Sequence, residues 1–299
     1  MEKTSSQNSS SLTLAWVLTL LTTILPEVLL KEVLKMPVPD WLLWFKIASL
    51  VIVLSLGFWV STLRPLQKYS LVLAALLLLE YGSALLCNTL WWKMLFPGSG
   101  FIASMASQQI LRVLSALLMV GLLFLLFKKF SAFFVVKGDT KATAAPIPLI
   151  MTRSTTWAKL GWILILCISG GTGVFLLIGA GSNLPHLQKV LHFVPFILLF
   201  ALMNSFAEEV SYRANVLATL APEFGREDAL LMSAALFGMQ HYYGVPYGVV
   251  GVIMAGILGW LLGKSMLETK GIAWAWGIHF CQDVLIFTFM AVGSIVAGG

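Results

Sequence analysis

The chain has 299 residues, 59% hydrophobic and 11% charged, with three cysteines and a formal net charge of +6. Its mean hydropathy is +0.92. Soluble domains average about 45–50% apolar and about 25% charged residues, so this composition excludes a soluble enzyme, a disordered tail and a secreted disulfide scaffold.

A helix needs roughly 20 apolar residues to cross a bilayer's hydrocarbon core. Nine candidate spans follow in chain order: Leu12 to Leu30, Trp41 to Val60, Tyr69 to Leu90, Ile110 to Phe127, Trp157 to Ala180, Val190 to Leu220, Ala229 to Tyr242, Tyr247 to Leu262 and Ile272 to Ala297. Pro26 and Glu27 interrupt the first, and the Ser-rich stretch Ser5 to Ser11 ahead of it reads as a frayed tail. Only Lys3 precedes that span, beside Glu2, and no small-residue cleavage site follows, so the span is expected to be retained rather than removed as a signal. Cys87, Cys167 and Cys281 fall inside apolar runs and read as small core residues.

The basic residues cluster between the runs, where they report topology before any affinity for anionic partners. With the N-terminus inside, nine spans put Lys3, Arg64, Lys68, Lys128, Lys129, Lys137, Lys141, Arg153, Lys159, Arg226, Lys264 and Lys270 on the cytoplasmic side. Lys31, Lys35, Lys93 and Lys189 remain outside, an asymmetry that predicts an N-in, C-out protein. The longest polar connection, Lys128 to Thr156, carries Gly138, Asp139, Pro146 and Pro148. It divides the chain into accessory helices with a cytoplasmic loop (1–156) and a second helical half (157–299). The expected fold is all-α, a polytopic transmembrane bundle of eight or nine spans.

A charge at mid-membrane costs about 2.5–3.5 kcal/mol on insertion scales, so each ionisable residue within a span needs a reason. The first half is plain hydrophobic packing apart from Lys46, Glu80 and Arg112. The second half concentrates its charges in three motifs. The first runs from Phe206 to Arg213, where Glu209 and Arg213 are four apart with the acid N-terminal, the better orientation for a helical pair. Glu208, turned by about 100° from Glu209, is left available, and burial beside a second carboxylate would tune it toward a general base. Phe237 and His241 also share a helical face, as do His279 and Asp283. Each motif alone also fits a structural role: an ion-pair cluster locking helices, a packed histidine, an intrahelical hydrogen bond.

Spacing joins them. Glu208 lies 16 residues before Phe224 and His241 lies 17 after it, on the two arms of a hairpin turning at Pro222 to Gly225, which sets both at nearly one depth. A second turn near Glu268 brings His279 and Asp283, 11 and 15 residues beyond it, into the same layer, opening toward the cytoplasm. Gly251, Ala255, Gly259 and Gly263 form a small-residue stripe for close helix packing. Trp274 and Trp276 read as an interfacial belt beside Lys270.

The ordered set Glu208, Glu209 and Arg213, then Phe237 and His241, then His279 and Asp283 resembles the CAAX protease and bacteriocin-processing family, the Abi or Rce1-like intramembrane glutamic proteases, over roughly 157–297. The resemblance implies that Glu208 and His241 activate water for attack on a peptide carbonyl while His279 and Asp283 hold the oxyanion. Glu209, Arg213 and Phe237 support them, with neither cofactor nor metal. An ionised aspartate donates no hydrogen bond, so Asp283 is expected either to carry a proton or to orient His279.

The implied reaction is endoproteolysis of a membrane-associated protein or peptide near its C-terminus: a CAAX-like tail, a sorting tail or a leader. The expected setting is a prokaryotic cytoplasmic membrane, with the lipid bilayer as partner and no nucleic acid. Two alternatives stand beside it. A zinc-dependent membrane protease would draw ligands from Glu208, His241 and His279, although no H-E-x-x-H helix is present. A non-enzymatic immunity, scaffold or transport protein could also use buried acids, Glu27 and Glu80 included, but no internal repeat supports transport.

Overall fold

The computed structural model describes residues 2–98, 100–147 and 150–298. Pro148, named above in the long connection, and the side chain of Lys3 lie outside what it describes. In chain order the helices are α1 (Glu2–Thr22), α2 (Leu25–Val28), α3 (Leu42–Leu56), α4 (Gln67–Asn88), α5 (Leu90–Leu95) and α6 (Phe101–Phe127). After the short strands β1 (Thr143–Ala144) and β2 (Thr155–Thr156) come α7 (Trp157–Ala180), α8 (Val194–Glu209), α9 (Asn215–Phe224), α10 (Arg226–Gln240), α11 (Val249–Thr269) and α12 (Ala273–Gly298). The fold is an all-α polytopic bundle, and the chain is an integral membrane protein.

The expected count of eight or nine crossings is not confirmed by helix length and composition. Among the described residues six helices are long and apolar enough to cross a membrane, or seven if the bent pair at the N-terminus counts as one span. α3 and α10 have 15 residues each, about 22 Å of rise against a core of about 30 Å. The first expected span breaks into Ser9–Thr22 and Leu25–Val33 with a 59° bend. Pro26 sits in the first turn of the second piece, where its missing N–H costs nothing. Lys46 stabilises the break from α3: its ammonium, 3% exposed, donates to the Thr23 carbonyl at 2.7 Å and to both oxygens of Glu27. Ser5 to Ser11 is helical rather than frayed, and the Ser11 hydroxyl donates to the Thr62 carbonyl at 2.6 Å.

The long connection docks against the molecule. The strands pair antiparallel, the Asp139 amide donates to the Thr269 carbonyl at 2.8 Å and the Ile272 amide to the Val136 carbonyl at 2.9 Å. Gly138, at φ +71°, lies so close to Gly271 that a Cβ would meet that residue's backbone. The expected hairpin forms as well: α9 ends at Phe224, Gly225 turns at φ +93°, and α10 begins at Arg226. The small-residue stripe of α11 faces α10, with Gly259 against Phe237 and Gly263 against Leu230. All three cysteines are free.

Burial separates two apolar cores. The larger includes Leu73, Met119, Val210, Leu217, Leu236 and Leu262, and the smaller is built on Phe101, Phe200 and Phe287. α6, α8 and α12 each run from one core to the other. Polar residues mark the passage on all three: Gln109 and Arg112 between Met105 and Ala116, Asn204 between Ala201 and Ala207 with Glu208 directly after, His279 and Asp283 between Ile278 and Phe287.

Candidate active site

Within this polar layer Glu209 is completely buried and accepts from two partners on the same oxygen, Arg213 Nη1 at 2.7 Å and His279 Nδ1 at 2.8 Å. A carboxylate only accepts, so His279 carries its hydrogen on Nδ1 and presents Nε2 on the other side of the ring. There it stands 3.5 Å from Glu208 Oε2 and 3.6 Å from Asp283 Oδ1.

Glu208 is 12% exposed, and its Oε1 accepts from Arg112 Nη1 at 2.7 Å. The same nitrogen donates to Asn204 Oδ1 at 2.7 Å, and the Asn204 amide donates to Asp283 Oδ2 at 3.0 Å. Glu208, Arg112, Asn204, Asp283 and His279 thus close a ring of polar contacts drawn from three helices.

The local backbone supports this ring. Directly after Glu209 the chain widens into a π-helical turn, Val210–Ala214, a feature that often marks functional positions. From that turn Arg213 reaches back to Glu209, and the Tyr212 hydroxyl donates to Glu80 of α4 at 2.9 Å. Phe237 lies beneath the Arg213 guanidinium, 3.9 Å from ring centroid to Cζ. It meets the His279 ring edge-on at 5.9 Å and the His241 ring at 4.4 Å, so one aromatic residue touches three members of the set.

His241 stands apart from the hydrogen-bonded ring. It caps α10, and its Nδ1 donates to the Phe237 carbonyl at 2.9 Å, which leaves Nε2 as the nitrogen free to accept a proton in the neutral ring. It lies within electrostatic range of Glu208. Beside Glu208 opens a cavity of about 470 Å³ between α4, α6 and α8, whose wall includes Glu80, Arg112, Tyr212 and Gln240.

The structure therefore gathers Glu208, Glu209, Arg213, His279 and Asp283 into direct contact and brings Phe237 and His241 against their edge. Two expectations change. Glu208 is not left free, because Arg112 binds it. His279 is committed through Nδ1 to Glu209, a bond absent from the sequence reading. Arg112, Asn204 and the Tyr212–Glu80 pair were also missed. Asn204 carried a usable signal, being a polar residue four before Glu208 on the same helical face. Arg112 carried only its charge, since 96 residues separate it from its partner.

Among the described residues no group of three His, Cys, Asp or Glu side chains is placed to hold a metal ion, Glu208, His241 and His279 included.

Fold and layer define a class: a polytopic helical membrane protein with an acid, a histidine and their polar supports buried between apolar cores. Within that class, residues 190–285 match the family model for Rce1-like proteins, described as type II CAAX prenyl endopeptidase Rce1-like. The matched stretch contains every residue of the three motifs. The match supports a CAAX-type intramembrane protease with a membrane-associated peptide substrate. No curated protein and no solved structure matches the chain.

Proposed function

We propose that the chain is a glutamic-type intramembrane endopeptidase that cleaves a membrane-associated protein or peptide near its C-terminus. Water enters beside Glu208 from the cavity. As its oxygen attacks the peptide carbonyl carbon, a proton passes to the Glu208 carboxylate, with His241 Nε2 able to share it. The carbonyl oxygen takes up negative charge facing His279 Nε2–H, and collapse of the adduct returns the proton to the departing amine.

In the ring and its Glu209–Arg213 support, three carboxylates face two guanidiniums, and an imidazolium at His279 makes that count even. Asn204 donates to Asp283, which suits Asp283 to orienting His279 rather than to donating a hydrogen bond itself. In this reading 157–299 is the catalytic core, Arg112 reaches into it from 1–156, and the protein sits N-in and C-out with its site toward the cytoplasm. A CAAX-like tail, a sorting tail and a leader are the substrate choices.

One observation carries the proposal: a closed polar ring around Glu208, placed between two apolar cores and opening on a cavity. The test is purified protein in liposomes with a panel of membrane-anchored peptides bearing free C-termini, with products read by mass spectrometry before and after exhaustive chelation. We expect one cut near the C-terminus, at the same rate in both samples. An uncut panel, or cleavage lost on chelation and restored by zinc, would overturn the metal-independent mechanism.

A further inference from the structure

The cavity beside Glu208 holds a carboxylate for which the mechanism has no use. Glu80 projects from α4 into its wall and accepts from the Tyr212 hydroxyl at 2.9 Å through Oε1. Among the described residues no cation lies within ion-pair distance of it, and Oε2 accepts no hydrogen bond.

The other acids within the bundle differ from Glu80. Glu27 has Lys46, Glu208 has Arg112, Glu209 has Arg213, Asp283 has His279 and Glu268 has Lys264. Two basic side chains of the first half, Arg112 and Lys46, are already engaged, Arg112 with Glu208 and Asn204, and Lys46 with Glu27 and Thr23. A lone carboxylate at membrane depth is costly unless something pays for it, and such residues mark the path of a ligand.

The surroundings suit a cation. Ser83 and Ser115, whose hydroxyls lie 3.0 Å apart, supply acceptor oxygens in the same wall, and about 470 Å³ is within the range of small-ligand sites. Tyr212 holds the carboxylate through Oε1, and Glu80 forms part of the cavity wall. The cavity reaches Glu208 at one side, so a group bound at Glu80 would belong to the same molecule whose peptide bond is attacked.

We propose that this cavity is a specificity subsite in which Glu80 binds the basic side chain, lysine or arginine, of a substrate residue flanking the scissile bond. The subsite rests on the peptidase reading, and two experiments separate the two. The first leaves cleavage aside. In a Cys167→Ser, Cys281→Ser background Cys87, which lines the same cavity, is modified with a cationic and an anionic methanethiosulfonate reagent, each rate scaled to its rate on a free thiol. We expect the cationic reagent to be favoured by about tenfold, and Glu80→Gln, which keeps the shape and the Tyr212 bond, to bring the ratio close to one.

The second experiment scans lysine against glutamine at each position around the cut. At one position the ratio of kcat/KM should favour lysine by at least about tenfold in the parent and collapse in Glu80→Gln. Equal reagent rates in the parent, or a lysine preference that survives Glu80→Gln, would overturn the subsite. A cationic preference at Cys87 with no peptide cut would refute the peptidase reading and leave a cation-binding cavity standing. Cleavage with no preference for lysine at any position would refute the subsite alone.

Discussion

Glu208 and Glu209 are neighbours in sequence, and each has an arginine Nη1 at 2.7 Å, yet they lie in two different regions. On the Glu209 side the partner comes from the next turn of the same helix, both side chains are fully buried, and a third group, His279, closes the contact. On the Glu208 side the partner comes from α6, is 48% exposed, and the carboxylate faces a cavity. One region is sealed and the other is open to exchange. The lesson is that charge pairing alone does not assign a role: a sealed pair can hold geometry, while chemistry needs a carboxylate that water and substrate can reach.

Substitutions can break or sharpen that contrast. A large effect on rate is expected at His241, which stands outside the sealed pair and whose hydrogen bond goes to a local backbone carbonyl. His241→Ala should lower kcat by about 10²- to 10⁴-fold while leaving the melting curve near the parent's, as read by steady-state kinetics and circular dichroism. A variant that keeps the parent's rate would remove His241 from the chemistry.

In the sealed region the effect should fall on stability. Arg213→Ala takes the guanidinium from a fully buried Glu209 and leaves it His279 as partner, which should cost about 3–5 kcal/mol in denaturant unfolding, with Glu209→Gln plus Arg213→Leu recovering part of the loss. A small effect would mean that the pair is open to water after all.

The wall between α10 and α11 comes next. A Cβ on Gly238 would stand 2.7 Å from the Val252 carbonyl oxygen and 3.0 Å from Gly256 Cα, so Gly238→Ala should destabilise by about 1–3 kcal/mol. Because Gly238 adjoins Phe237, the rate should fall with it. The smallest change is expected at Arg112. Exposed as it is, Arg112→Ala should alter stability by less than about 1 kcal/mol and lower kcat by about tenfold through a less firmly held Glu208, with Arg112→Lys recovering part of the rate. An Arg112→Ala variant that unfolds would place Arg112 in the sealed class.

What could be read from the sequence follows the helical repeat. The i,i+4 contacts of Glu209 with Arg213 and of Phe237 with His241 are fixed by 3.6 residues per turn wherever the helix sits, and both are present. The depth match of Glu208 with the His279 motif follows from rise and turn position, and the contact at 3.5 Å agrees with it. Contacts between helices depend on azimuth and register instead. Arg112 with Glu208, Asn204 with Asp283 and Tyr212 with Glu80 span 96, 79 and 132 residues, and no local spacing encodes them. The count of eight or nine spans is not confirmed, for a related reason. Hydropathy records how apolar a segment is, whereas whether it crosses depends on uninterrupted length, which Pro26 ends in one place and the capping of α10 at His241 ends in another.

The most direct test of the division between the two regions is the single-turnover cleavage rate of Glu208→Gln, measured beside its unfolding temperature. Glutamine keeps the shape and an oxygen for Arg112 but cannot take the proton from water. We expect a fall of about a thousandfold or more with unfolding unchanged. Cleavage at the parent's rate by a folded Glu208→Gln protein would contradict the assignment of Glu208 as the base.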